Sequence, residues 1–122
     1  MAINRAAQRL GLRGEDFVAN YLQSRNIRIL DRNWRIKEGE LDLVGLDSEG
    51  RILIVEVKTR SSAAYGDPLE SISVDKAYRI QRLALAWLAM NQRLGSQYRI
   101  DVAGVIIGRS GEVSIDYREG IL

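Results

Sequence analysis

Glu15, Asp42, Glu56 and Lys58 are the residues whose types and spacing can do chemistry in this chain. Along 52–58, Ile52, Ile54, Glu56 and Lys58 fall on one face of a strand, and Leu53, Val55 and Val57 fall on the other. A strand this apolar on both faces reads as a central one covered by helices, so Glu56 and Lys58 project side by side where burial is expected. Asp42 belongs to the preceding strand, on the face of Val44 and Leu46 and away from Leu41 and Leu43. With Ser48-Glu49-Gly50 as a three-residue hairpin loop and Gly50 left-handed, Asp42 pairs directly with Glu56. Their Cβ atoms would then stand about 5 Å apart. Two carboxylates that close repel, so one holds a proton unless a cation intervenes. Glu15 precedes Val18 and Leu22 on a helical stripe that should face the sheet, and the metal site of the carboxylate pair is one candidate partner for it. Plainer readings stand beside these. Glu56 and Lys58 can be solvated at a strand end, Asp42 can be a surface residue near a turn, and Glu15 can sit in the first turn of a shorter helix beginning near Gly14.

Carboxylate and carbonyl oxygens suit Mg²⁺ or Mn²⁺, which keep several waters for reaction. Such a cation lowers the pKa of bound water and neutralises charge on a transferring phosphoryl group, so the pattern suits hydrolysis of phosphodiesters. Val57, its side chain turned into the core, can offer a backbone carbonyl as a further metal ligand. Lys58 is a compact charge able to orient a water or stabilise an oxyanion. Composition narrows the field in the same direction. The 122 residues include no cysteine and no histidine. Thiolate nucleophiles, cysteine metal sites, imidazole acid–base catalysis and Ser-His-Asp triads are therefore excluded.

These residues need a scaffold, and the chain is long enough to build one domain over residues 1–122. Helical spacing predicts a first helix over about 4–25, with Gly11 and Gly14 weakening or kinking its start. Strands follow over 28–34, 40–46 and 52–58. A long connection from Thr59 to Ser73 holds the one proline, Pro68, and reads either as a flap including Ser61, Ser62, Tyr65 and Gly66 or as a plain surface loop. A second helix starts at a Ser73 cap and runs to about Leu94, with Ala77, Ile80, Ala84, Trp87, Leu88 and Asn91 on one stripe and Gly95 as its stop. Strands over 98–107 and 112–117 complete an α/β pattern. Charge falls in blocks: eight basic and three acidic residues over 1–37, then six acids against Arg51 over 38–57. A basic shoulder beside an acidic centre can hold a polyanion around a cation. With no apolar run of about 18 residues and no charged-then-apolar leader pattern, a cytoplasmic protein with no membrane partner is expected.

Asp42 followed by Glu56-Val57-Lys58 resembles the D…(D/E)-x-K signature of the restriction-endonuclease-like PD-(D/E)XK nuclease superfamily, and the helix carrying Glu15 resembles that of archaeal Holliday-junction resolvases. The whole chain resembles the bacterial YraN-like family of predicted endonucleases, through Gly14-Glu15, Asn33-Trp34-Arg35, 39–44 (GELDLV), 55–60 (VEVKTR) and 99–102 (RIDV). Leu41 replaces the proline of the superfamily signature. The resemblance implies a mixed sheet flanked by helices, metal bound by Glu15, Asp42 and Glu56, a nucleophile assisted by Lys58, and a DNA substrate that includes branched or flapped forms. It also implies a homodimer, since a four-way junction needs two cuts. Arg35, Lys37, Arg60, Lys76, Arg79 and Arg82 are candidate phosphate contacts, each readable equally as a solvated side chain. Trp34 reads as core and Asp101 as structural, paired with an arginine. No feature of the sequence distinguishes DNA from RNA. The competing readings are a non-catalytic nucleic-acid-binding module and a partner-binding protein that keeps the fold.

Overall fold

Strand-forming runs, the central ones buried on both faces, and two amphipathic helical runs meet in a five-stranded sheet of order β1-β2-β3-β4-β5. The computed structural model describes residues 5–62, 64 and 66–122. The elements are α1 (Arg5–Ser24), β1 (Arg28–Ile36), β2 (Gly39–Leu46), β3 (Ile52–Arg60), a 3₁₀ turn (Pro68–Ser71), α2 (Val74–Met90), β4 (Tyr98–Ile107) and β5 (Val113–Arg118). The first three strands are antiparallel, β4 runs parallel to β3, and β5 returns antiparallel. The sheet is mixed because α2 occupies the crossover between β3 and β4, which a parallel pair requires.

Each face of the sheet has its own helix, as the apolar character of β3 predicts. Val18, Ala19 and Leu22 of α1 pack on Leu43, Leu53, Val55, Ala103, Val105 and Ile107. On the other face Ile80, Leu83, Ala84, Trp87 and Leu88 of α2 pack on Leu41, Val44, Ile52, Ile54 and Ile100, with Trp34 against the same cluster. Trp87 is enclosed with its indole N–H donating to Asp31 Oδ2 at 3.1 Å, so its polar atom is not stranded in the core.

Both helix ends close through left-handed residues. Asn26 (φ 63°) follows α1, and Gln92 (φ 54°) follows α2. Helix α2 therefore ends four residues before the predicted Leu94. The Asn91 amide donates to the Trp87 carbonyl at 2.8 Å and the Arg93 N–H reaches the Leu88 carbonyl at 2.8 Å, using up the last carbonyls before Gly95 is reached. Asn91 thus caps the helix and is exposed, where the stripe placed it on the packed face. Helix α1 is continuous through Gly11 and Gly14. Tyr65, part of the predicted flap, lies outside the described residues. Among the described residues no helix is long and apolar enough to cross a membrane.

Candidate metal centre and its cleft

The β2–β3 hairpin has the predicted three-residue loop. Asp47 N–H bonds the Arg51 carbonyl at 3.0 Å, and Gly50 is left-handed at φ 84°. The ladder then runs from Leu46–Ile52 to Leu43–Val55, so Asp42 and Glu56 are the next residue on each strand. There the pairing changes character. In the same register the next hydrogen-bonded partner of Val57 would be Leu41, but the Val57 N–H donates instead to Asp42 Oδ2 at 2.8 Å. The N–H and C=O of a strand residue point the same way, so the Val57 carbonyl faces this same gap.

A second distortion lies across β2. Asn33 stands between Arg32 and Trp34 at φ 51°, and it is the step missing from the β1–β2 register between Arg32–Leu43 and Trp34–Leu41. Side-chain alternation along β2 breaks at the same level. Leu41 shares the α2-side cluster with Val44, while Leu43 lies on the α1 side. The expectation that Asp42 turns away from Leu41 as it does from Leu43 therefore fails, and the break lies beside the left-handed Asn33 of the neighbouring strand. The consequence is useful to the site. Asp42 sits at the seam between the two faces, where its charge acts on Glu15 from the α1 side and on Glu56 from the α2 side.

Glu15 reaches the sheet because α1 comes in close. A Cβ added at Gly14 would lie 1.9 Å from Thr59 Oγ1, so only glycine allows this approach, and it presses the neighbouring Glu15 against the sheet. Glu15 and Glu56 are each only 9% exposed. As ionised carboxylates, Glu15 Oε2 and Glu56 Oε2 are buried with no hydrogen-bond partner among the described residues, and Thr59 Oγ1 is in the same condition. Burial, followed by the charge of Asp42, pushes the Glu56 carboxyl up to about 8. Burial raises Asp42 as well, against the Val57 N–H and a hydrogen bond with Glu56 that hold it down. One proton shared by the pair is the state these pressures favour without a cation. Glu15 is raised by burial and by Asp42, partly offset by the Asn33 side chain and Arg32. Lys58 is lowered to about 8 by burial and by neighbouring Lys76.

A cleft of about 470 Å³ opens over the pair, lined by Asp42, Glu56, Lys58, Lys76 and Arg79 among others. The structure thus brings Lys76 and Arg79 to the carboxylates but leaves Arg82, three residues on, exposed and outside the lining. Arg35 is exposed and bound to Glu40 at 2.7 Å, Lys37 is exposed between β1 and β2, and Arg60 lies beyond Lys58 in a neighbouring cavity. Asp101 pairs with Arg99 at 2.8 Å, as expected of a structural acid. Residue typing missed Gly14, Asn33 and Thr59 as positioning residues. Of these, Asn33 carried a usable signal, since asparagine is enriched among left-handed residues.

Hard oxygen donors with two unpaired buried Oε2 atoms suit a divalent cation, with Asp42, Glu56 and the Val57 carbonyl as the nearest set. Among the described residues no three acidic side chains are already gathered into a metal-holding group. Of the pair, Asp42 is the member whose charge acts on Glu15.

The match to uncharacterised protein family UPF0102 extends over residues 14–105, and the chain belongs to this family, the YraN-like family of the sequence resemblance. It is 44% identical over 117 residues to a UPF0102 protein of Arthrobacter sp. (strain FB24), covering 96% of this chain and 98% of that one. A UPF0102 protein of Frankia casuarinae is 45% identical over 116 residues, covering 95% and 98%. Among solved structures, a repair endonuclease from Pyrococcus abyssi is similar over 91% of this chain and 41% of its own, at 15% identity and a TM-score of 0.49. This chain spans less than half the length of that structure.

Proposed function

We propose that the chain is a Mg²⁺- or Mn²⁺-dependent endonuclease that hydrolyses phosphodiester bonds in DNA. The observation that carries the proposal is the buried Asp42–Glu56 pair, with Glu56 Oε2 unpartnered and Lys58 two residues along the same strand. A structural role would favour replacing such groups with apolar ones, since two buried carboxyl groups that share one proton and leave an oxygen without a partner are costly. Asp42, Glu56 and the Val57 carbonyl would hold the cation, with Glu15 at hand beside Asp42. When bound, it supplies Lewis-acid stabilisation of phosphoryl charge and an acidified water. Lys58, brought down to about 8, can exchange a proton near neutral pH and stabilise a phosphate oxygen. Lys76 and Arg79, on the wall of the cleft, are placed to hold the DNA backbone.

The test is cleavage of labelled duplex, single-stranded, flapped and four-way DNA at millimolar Mg²⁺ or Mn²⁺. Asp42→Asn, Glu56→Gln and Lys58→Ala should each lower the rate by at least about 100-fold with circular dichroism unchanged. Every DNA form remaining intact with the unmodified chain would overturn the proposal.

A further inference from the structure

The cleft does not end at Lys58. That side chain is also part of the wall of a second cavity, of about 510 Å³, on the same face of the sheet and lined by the segment that precedes α2. Its floor is β4 at Gly104, which pairs with Lys58 on one side and Asp116 on the other. Its roof is the 3₁₀ turn, and the seating of that turn depends on a missing side chain. A Cβ at Gly104 would lie 2.0 Å from Pro68 Cγ, so the proline ring rests on bare backbone. A hydrogen-bonded brace joins roof to wall. Asp67 caps the turn by accepting the Leu69 N–H at 2.9 Å, and it takes Arg118 Nη2 at 3.3 Å. Asp116 holds the same guanidinium at 2.7 and 2.8 Å. The cavity is therefore shaped before anything binds.

Its chemistry differs from that of the cleft. Three cations, Lys58, Arg60 and Arg118, are matched by three acids, Asp67, Glu70 and Asp116, around the apolar surfaces of Pro68 and Ile106. Balanced charge makes a poor phosphate cradle. With Asp67, Asp116 and Arg118 tied to one another, Lys58 and Glu70 remain as a donor and an acceptor beside the apolar surfaces of Pro68 and Ile106, a combination that suits a nucleobase, whose edge carries both and whose faces are apolar. A volume within the roughly 300–1,000 Å³ range of small-molecule pockets can admit one nucleotide. A stacked and paired base cannot present its edge to such a recess, and extruding one costs a few kcal/mol, least where the base is already unpaired.

We propose that this cavity is a subsite for one unpaired nucleotide adjoining the scissile phosphate, so that the preferred DNA carries a single-stranded or unpaired segment at the cut. The inference rests on the endonuclease reading for its cleavage arm and stands apart from it for its binding arm. In the cleavage arm, flapped or mismatched DNA should be cut at least tenfold faster than a fully paired duplex of the same sequence. Ser114→Phe on β5 and Ser71→Phe on the turn intrude from opposite walls, and each should reduce that preference to within about twofold of parity. In the binding arm, a single-stranded oligonucleotide bearing 2-aminopurine is titrated in EDTA. Its fluorescence should change on binding to the unmodified chain, and the change should be lost in both variants while circular dichroism is preserved. Failure to cut any DNA overturns the nuclease reading alone. Equal cutting of paired and unpaired DNA, or a fluorescence change that survives both phenylalanines, overturns the subsite alone.

Discussion

Glu56 and Lys58 are held away from their ordinary protonation by the same burial, in opposite senses, and stability should register both. Glu56 rises from 4.5 to about 8 on folding. Between those values the unfolded chain has lost its proton and the folded chain keeps it, so stability falls as pH rises across the interval. Lys58 drops from 10.5 to about 8. Above pH 8 the folded lysine is neutral while the unfolded one is still charged, so stability climbs again. The contribution of this pair to the metal-free chain is thus least near pH 8. Thermal unfolding in EDTA should show a falling limb from about pH 5 to about pH 8 that Glu56→Gln flattens, with the variant more stable than the unmodified chain at pH 8. Millimolar Mn²⁺ should raise the midpoint of the unmodified chain most at that same pH and leave the variant nearly unmoved, because the cation and the proton compete for one carboxylate. A falling limb unchanged in Glu56→Gln would show that another group produces it.

At the level of elements, the site depends on how closely α1 lies on β3 and on where the pleat of β1–β2 breaks. In Gly14→Ala the new methyl would meet Thr59 Oγ1 at 1.9 Å and Thr59 Cβ at 2.9 Å, so the helix must lift. The expected loss is about 1–3 kcal/mol, as for overpacked cores, with weaker metal binding because Glu15 moves with the helix. Thr59→Ala in the same chain removes the hydroxyl but not the Cβ, so a double-mutant cycle by urea unfolding should recover part of that loss. Additive losses would deny the contact. The two hinges of this geometry differ in how readable they were. The Gly50 turn sets the register that brings Asp42 near Glu56, since hairpin register follows from loop length, but the ladder stops one pair short at Leu43–Val55 and the expected direct pairing gives way to side-chain contact. Hydrophobic alternation misjudges Leu41, because period two presumes an unbroken pleat, and the left-handed Asn33 beside it is signalled only by asparagine's general enrichment in that conformation. Glycine at position 14 likewise read as a helix weakness, since its use is a contact with a strand some 45 positions away that local propensity does not see.

Across the whole molecule, the proposed cation would change what the charged surface attracts. The acidic block of 38–57 does not cancel the basic residues evenly. In the cleft Lys58, Lys76 and Arg79 face Glu40, Asp42 and Glu56, so a phosphate drawn by the cations is repelled by Glu40 and by the charge the Asp42–Glu56 pair retains until the acids are neutralised. Calcium, which occupies oxygen sites, should therefore tighten DNA binding at least about tenfold over EDTA at constant ionic strength, measured by fluorescence anisotropy. Asp42→Asn combined with Glu56→Gln should tighten metal-free binding and lose the calcium response while abolishing cleavage, since it removes the repulsion without supplying the cation. The salt dependence separates these acids from the proposed phosphate contacts. Lys76→Ala and Arg79→Ala should each reduce the slope of log affinity against log salt by about 0.9 on duplex DNA, whereas the carboxylate variant should leave the slope with calcium unchanged. Affinity indifferent to calcium, together with unaltered slopes in both basic variants, would move DNA binding away from this cleft altogether.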